Sequence, residues 1–289
     1  MNRKSKLSLF TLSEMYQLLK FAIGERLILS VSDSLRRTHQ MINLFHSKGI
    51  AIAKDKKNLL LRVTINNSLF KIYLEKNSSD ALVFKQVILG KEYHKIVNIL
   101  ETLKIESVNM IDAGANIGLT SIYFKAHFPK ANIIALEPSS KTYQRLTRNI
   151  EANALSDVRT LKKGLWGHKT FLKPDRSFRD RKDWAFRLTE TNERDQNSIE
   201  VISMNDIIKE NKLERIDFLK IDIEGGEVSV FNKDADMKWL KIVKTLAIEI
   251  HDEFECREEI ESLLRSEGFE LTYSGGLEGL TIGVNRSAM

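Results

Sequence analysis

Short apolar runs and amphipathic stretches alternate along most of this 289-residue chain, and the switch between period 2 and period 3.6 marks its elements. The clearest switch lies at 108–124, VNMIDAGANIGLTSIYF, where Val108, Met110 and Ile111 make a buried strand that Asp112 closes. Leu119, Ile122 and Tyr123 then recur at helical spacing, up to Pro129. The alternation continues with strands at 131–136, 158–165, 199–202, 216–223 and 243–250. Helices fall at 139–152, 204–209, from 227 towards 239, and at 257–267, before a closing strand pair at 269–273 and 280–284. This rhythm predicts an α/β fold with a doubly wound, mainly parallel sheet. Ahead of it, 34–45, 78–89 and 93–103 read as helices. Two alternating runs at 59–65 and 69–74, joined by Asn66-Asn67-Ser68, read as a hairpin that caps the sheet. The expected organisation is an N-terminal helical and hairpin extension at 1–107 packed on an α/β domain at 108–289. One polar insertion, 172–198, breaks the rhythm. Within it, 173–197 carries seven Lys or Arg and six acidic residues beside Phe178, Trp184 and Phe186. A loop of that length is usually functional or disordered.

The changeover at 112–118 is where chemistry is expected. Gly114 and Gly118 bracket the turn, allowing positive φ and close approach of a ligand to the backbone. Asn116 stands where many nucleotide loops have another glycine, and Asn tolerates a left-handed conformation. About 25 residues after Asp112, the strand 131–136 ends at Glu137-Pro138, where a carboxylate can accept hydrogen bonds from two ribose hydroxyls. NAD enzymes use the same device, so the turn and the acid leave the nucleotide open. Two further strings narrow it: Ile216-Asp-Phe-Leu-Lys-Ile-Asp-Ile-Glu-Gly-Gly-Glu227 and Leu246-Ala-Ile-Glu-Ile-His-Asp252. With the glycine turn, these resemble the FkbM family of S-adenosylmethionine (SAM) methyltransferases, from about residue 80 to the C-terminus. The resemblance implies a Rossmann-like class I methyltransferase fold with seven central strands ending in a hairpin. It also implies SAM as cofactor and a hydroxyl acceptor on a sugar, glycan precursor or polyketide-like product.

Composition sets limits on this reading. A hydrophobic fraction of 42% is enough for a sizeable core, and the single cysteine, Cys256, excludes an intrachain disulfide and a thiolate metal cluster. A reducing cytoplasm fits. The formal charge of +6 is uneven: residues 1–107 hold 18 Lys and Arg against 9 Asp and Glu, and the remainder 27 against 30. Those basic residues are scattered, with no basic run interleaved with aromatics, so a solvated surface is favoured over nucleic-acid binding. Residues 7–31 are apolar but are interrupted by Glu14, Lys20, Glu25 and Arg26, which excludes a membrane span there, and no signal-peptide pattern is present. Leu12, Met15, Leu18, Leu19, Ala22 and Ile23 share a helical face expected to pack on the domain or on a second copy, with docking at a membrane surface as the minority alternative.

In an open parallel sheet, ligands bind outside the carboxyl ends of the strands, so the polar residues there are the candidates. Asp112, Gly114, Asn116, Gly118, Glu137 and Pro138 are assigned to the cofactor. The plainer alternatives are a helix cap for Asp112 and a solvated strand end for Glu137. Gly164-Leu165-Trp166-Gly167 could bring a ring to the adenine or bury Trp166 in the core. On an extended strand Lys220, Asp222 and Glu224 would share one side. Glu224 is ranked first as general base, followed by His251 with Glu249 as its orienting partner, and by Asp222. A salt-bridged strand end and a structural histidine are the plainer alternatives. No ligand set with metal spacing stands out, so no metal ligand is assigned, and dependence on a divalent metal through Asp222 is left open. Trp184, Phe178 and Arg187 are expected to contact the acceptor. Two other functions compete: an NAD-dependent sugar-modifying oxidoreductase, weakened by the lack of an uninterrupted G-x-G-x-x-G, and a basic nucleic-acid-binding module.

Overall fold

The structure is a computed structural model that describes residues 33–55, 57–76, 78–174, 188–191, 195, 197–232, 235–275 and 279–288. Phe178, Trp184 and Arg187, and the apolar stretch 7–31, lie outside the described residues. The chain forms two compact units: one takes in the described residues up to Lys91 with Glu151–Ala154, the other Glu92–Ile150 and the chain from Leu155 onward. This division falls earlier than the boundary expected at 107.

In the first unit a helix, Asp33–Ser47, precedes an antiparallel sheet of β1 (Ala51–Asp55), β2 (Asn58–Ile65) and β3 (Ser68–Glu75). The β2–β3 hairpin follows from its two asparagines. Ile65 pairs with Ser68, leaving Asn66 and Asn67 as a two-residue loop at φ 44° and 63°, the sign a tight hairpin turn requires at both positions. Leu59, Leu61, Val63 and Ile65 alternate inward along β2. The helix expected at 78–89 forms as Asp80–Phe84 and continues as a π-helical turn, Lys85–Leu89.

The second unit is built on β4 (Asn109–Ala113), β5 (Asn132–Leu136), β6 (Val158–Leu161), β11 (Ile216–Ile221), β12 (Val243–Ile248), β13 (Phe269–Ser274) and β14 (Leu280–Asn285). They form a seven-stranded sheet in the order β13-β14-β12-β11-β4-β5-β6, in which β14 runs antiparallel to both its neighbours. Strands buried on both faces read as continuous apolar runs, and β11 is buried at all six positions. The chain moves from β4 outward to β5 and β6, then returns to place β11 on the other side of β4. This creates a switch point between β4 and β11. Asp112 pairs with Lys220 on one side and Ala135 on the other, so the ends of β4, β5, β11 and β12 share one edge.

Two expectations are corrected. The run at 158–165 divides: β6 stays in the large sheet, while β7 (Gly164–Leu165) joins a four-stranded sheet with β8 (Thr170–Pro174), β9 (Leu188–Thr191) and β10 (Ile199–Ile202), in the order β7-β10-β8-β9. The insertion thus contributes strands β8 and β9 at its borders. The helix expected from 227 towards 239 is one turn, Glu227–Val230, with a separate 3-10 turn at Lys238–Ile242. Val228, Ser229 and Val230 are poor helix formers, and Phe231 and Trp239 instead meet ring to ring at 5.8 Å.

At the opposite edge of the sheet from the switch-point crevice, Asp217 is fully buried. It accepts from the Asn109 amide at 2.9 Å and lies 3.2 Å from the Arg215 guanidinium and 3.3 Å from the Lys244 ammonium. Asp217→Asn keeps an acceptor but removes the charge facing both cations. It should lower unfolding stability by about 1–3 kcal/mol in denaturant titrations at unchanged m-value, and an unchanged midpoint would contradict this account.

Candidate functional site

The glycine turn after β4 is left-handed at three positions, Gly114 (φ 78°), Asn116 (φ 51°) and Gly118 (φ 84°), as their residue types allow. Gly114 and Ala115 both donate to the Leu136 carbonyl, at 3.0 and 2.8 Å, which ties the turn to the end of β5. Glu137 completes the tie: one carboxylate oxygen accepts from the Asn116 amide at 3.1 Å and the other from the Ser139 amide at 2.9 Å. Burial raises the Glu137 pKa, against these two amides, and each oxygen retains a lone pair. Pro138 is half-buried beside it.

Asp112 is fully buried and accepts from Ser121 Oγ at 2.7 Å; its other oxygen, Oδ1, has no hydrogen bond. Burial raises its pKa, while Lys220 and Ser121 act the other way. The helix Leu119–His127 that follows has Gly118 at its N-cap and no side-chain cap, so Asp112 is not the capping residue. The Trp166 indole donates to Glu190 at 2.9 Å, and the residue is half-buried.

Lys220, in the middle of the sheet, is buried and reaches the turn. Its ammonium donates to the Gly114 carbonyl at 2.6 Å and lies 3.1 Å from Asp222 and 3.8 Å from Asp112 Oδ1. Burial alone would lower its pKa, but Asp222 and Asp112 outweigh this and raise it. Gly114 abuts the Asp222 carbonyl so closely that a Cβ would overlap that oxygen. The two motifs are therefore one structure.

Beyond Asp222 the sequence expectation fails in one respect. The strand ends at Ile221, and Glu224 (φ 53°) and Gly225 (φ 93°) turn the chain through the left-handed region, so strand parity does not extend to Glu224. A Cβ on Gly225 would run into the Phe254 ring. The turn sends the exposed Glu224 carboxylate to His251 Nε2 at 3.4 Å. The partner of His251 Nδ1 is Glu227 at 3.2 Å, which corrects the expectation of Glu249. Glu227 is fully buried and also accepts from the Ile223 amide at 3.1 Å, so it fixes the imidazole. Its signal in the sequence was slight: an acid at the first turn of a helix, after two glycines. The contacts to Glu224 and then to Glu227 push the His251 pKa up to about 11, and the His251 bond holds Glu224 below the ordinary carboxylate range. Half-buried Glu249 has its pKa raised by burial and by Asp222.

Asp222, Glu224 and His251 each present a ligand atom within 4.8 Å of the others, a set able to hold a cation. No such spacing shows along the chain, because the three residues follow two different strands.

The residues present fit SAM in three respects. The turn offers backbone without a side chain at Gly114 and Gly118, Glu137 offers free lone pairs beside it, and Asp112 Oδ1 is a buried oxygen with no hydrogen bond. Among the described residues, no helix is long and apolar enough to cross a membrane.

Comparison with known proteins agrees with this geometry. The chain is 33% identical to methyltransferase sdnD of Sordaria araneosa over 56% of its own length and 74% of that protein's. It is 28% identical to methyltransferase 1 of Beauveria bassiana over 55% and 71%. To the 31-O-demethyl-FK506 methyltransferase FkbM of Streptomyces tacrolimicus it is 26% identical over 55% and 72%. Residues 112–271 match the methyltransferase FkbM domain, from the aspartate of the glycine turn to β13. The chain therefore belongs to the FkbM family of SAM-dependent methyltransferases.

Proposed function

We propose that this methyltransferase transfers its methyl group to a hydroxyl oxygen of a sugar, glycan precursor or related small natural product, in the reducing cytoplasm that its single cysteine suits. The observation that carries the reading is the His251–Glu227 pair, held at the strand edge that Lys220 ties to the cofactor turn. The Streptomyces relative, a 31-O-demethyl-FK506 methyltransferase, supports oxygen as the acceptor.

SAM supplies a methyl group on a sulfonium, a good leaving group, so the protein must align the acceptor oxygen and take its proton. Alignment of the reacting atoms contributes about 7 to 11 kcal/mol, and a general base about 10² to 10⁴-fold. Glu137 accepts the ribose hydroxyls, and Gly114, Asn116 and Gly118 let the turn close on the cofactor. His251 is the base. Glu227 holds Nδ1 and leaves Nε2 facing the acceptor side, where Glu224 lies on it in the resting site. An acceptor hydroxyl that takes the place of Glu224 removes the largest influence raising the His251 pKa; the Nε2 proton then passes to solvent, and the neutral imidazole receives the hydroxyl proton as the methyl group is transferred. In this reading Glu224, whose pKa the His251 bond lowers, stands behind His251 as a base, whereas the sequence places it first. Asp222, fixed by Lys220, orients the acceptor. The convergence of Asp222, Glu224 and His251 favours a second reading, in which these three side chains would hold a divalent cation that would supply Lewis acidity to the acceptor oxygen.

Three outcomes are expected. SAM at 100 times its dissociation constant should stabilise the wild-type protein by about 2.7 kcal/mol in thermal unfolding. Glu137→Ala should lose most of that protection at the same SAM concentration; undiminished protection would show that Glu137 is misassigned. In methyl-transfer assays His251→Ala should lose about 10² to 10⁴-fold in rate. Because transfer needs the neutral imidazole, activity should rise with pH through the His251 pKa. Glu224→Gln lowers that pKa in the free enzyme and should move the rising limb of kcat/KM to lower pH by about one unit or more while activity persists. An unmoved limb, or a Glu224→Gln protein as inactive as His251→Ala, would return the base to Glu224. Finally, turnover should survive chelator, since Lys220 already neutralises Asp222. Loss on chelation with recovery in Mg²⁺ would favour the cation reading.

A further inference from the structure

Tyr93 stands at the start of the helix His94–Thr102, ahead of the span 112–271 that matches the family, and none of the roles above uses it. Its side chain is buried, with 2% of the residue exposed, and its ring lies 6.2 Å from that of Phe218 in β11. Phe218 and Lys220 share one face of that strand, and their partners in β4, Met110 and Asp112, point the same way. Tyr93 therefore packs on the face of the sheet that carries Lys220 and Asp112, in the same compact unit.

A buried tyrosine ordinarily finds a partner for its hydroxyl. Among the described residues that of Tyr93 has none, and unlike Asp112 Oδ1 it keeps a small contact with solvent. The carboxylates of Glu92, Asp222, Asp112 and Glu249 all bear on it, after burial, and keep the phenol protonated. The cation on that face of the sheet, Lys220, is already engaged by Gly114, Asp222 and Asp112. A neutral oxygen with free lone pairs among four carboxylates suits a ligand group that is positively charged and donates hydrogen bonds.

We propose that the Tyr93 hydroxyl, backed by the carboxylates of Asp112 and Asp222, receives the α-ammonium of the methionine part of SAM. The phenol oxygen accepts one ammonium N–H, the carboxylates supply countercharge, and the ribose lies across the glycine turn at Glu137. This extends the cofactor site into residues that precede the family match. It rests on SAM being the methyl donor.

Equilibrium binding tests it, with SAM, S-adenosylhomocysteine and 5′-methylthioadenosine as probes; the last keeps adenine, ribose and sulfur but lacks the amino-acid part. Tyr93→Phe retains the ring that packs on Phe218. It should weaken SAM and S-adenosylhomocysteine about ten-fold or more relative to wild type, and leave methylthioadenosine within about two-fold. A variant that binds SAM as wild type does would overturn the proposal. So would one that loses affinity equally for all three, since Tyr93 would then only shape the fold. Wild-type protein that binds none of the probes would remove the SAM reading itself, a failure separate from that of Tyr93.

Discussion

The buried ammonium of Lys220 is the constraint on which the rest of the site depends. A lysine in a strand buried along its whole length must find acceptors, and those within reach are the Gly114 carbonyl, Asp222 and Asp112. Meeting that demand fixes the glycine turn against the end of β11. Parallel pairing of β4 with β11 places Lys220 opposite Asp112, so the contact follows from register. Without the ammonium, two carboxylates would face each other in a buried crevice, and the turn would lose its tie to the acceptor side.

Charge then divides the site by task. Near Glu137 the turn holds a carboxylate whose oxygens already accept from two amides and still have room for hydroxyls. Near His251, buried Glu227 holds one ring nitrogen and exposed Glu224 the other. In the proposed mechanism the exposed contact is the one exchanged for substrate, and the imidazole serves as a base only after its Nε2 proton has left.

The parts of this architecture that rest on local pattern were legible in the sequence. Apolar period and glycine placement located β4, the turn and the end of β5, because strand parity and positive φ are properties of a few adjacent residues. The Asn66-Asn67 hairpin was legible for the same reason. What sequence could not supply came from long-range partners. Glu227 was overlooked because its importance lies in meeting His251, 24 residues later. Strand parity placed Glu224 beside Lys220 because nothing in Ile223-Glu224-Gly225 says that the strand has already ended. β7 left the large sheet because its partner, β10, lies beyond the insertion. In the stretch after Glu227, local apolar spacing suggested a long helix, and the packing of Phe231 on Trp239 prevailed.

The proposed reaction is delivery of a methyl group to a hydroxyl oxygen at this edge of the sheet. It is tested most directly by incubating the protein with SAM labelled with ¹³C in its methyl group and a panel of sugar nucleotides, lipid-linked glycans and small polyols. The carbon environment of the product methyl is then read by NMR. A methoxyl signal on one class of acceptor is the predicted result. A label found on nitrogen or carbon, with no methoxyl product from any hydroxyl acceptor, would contradict it.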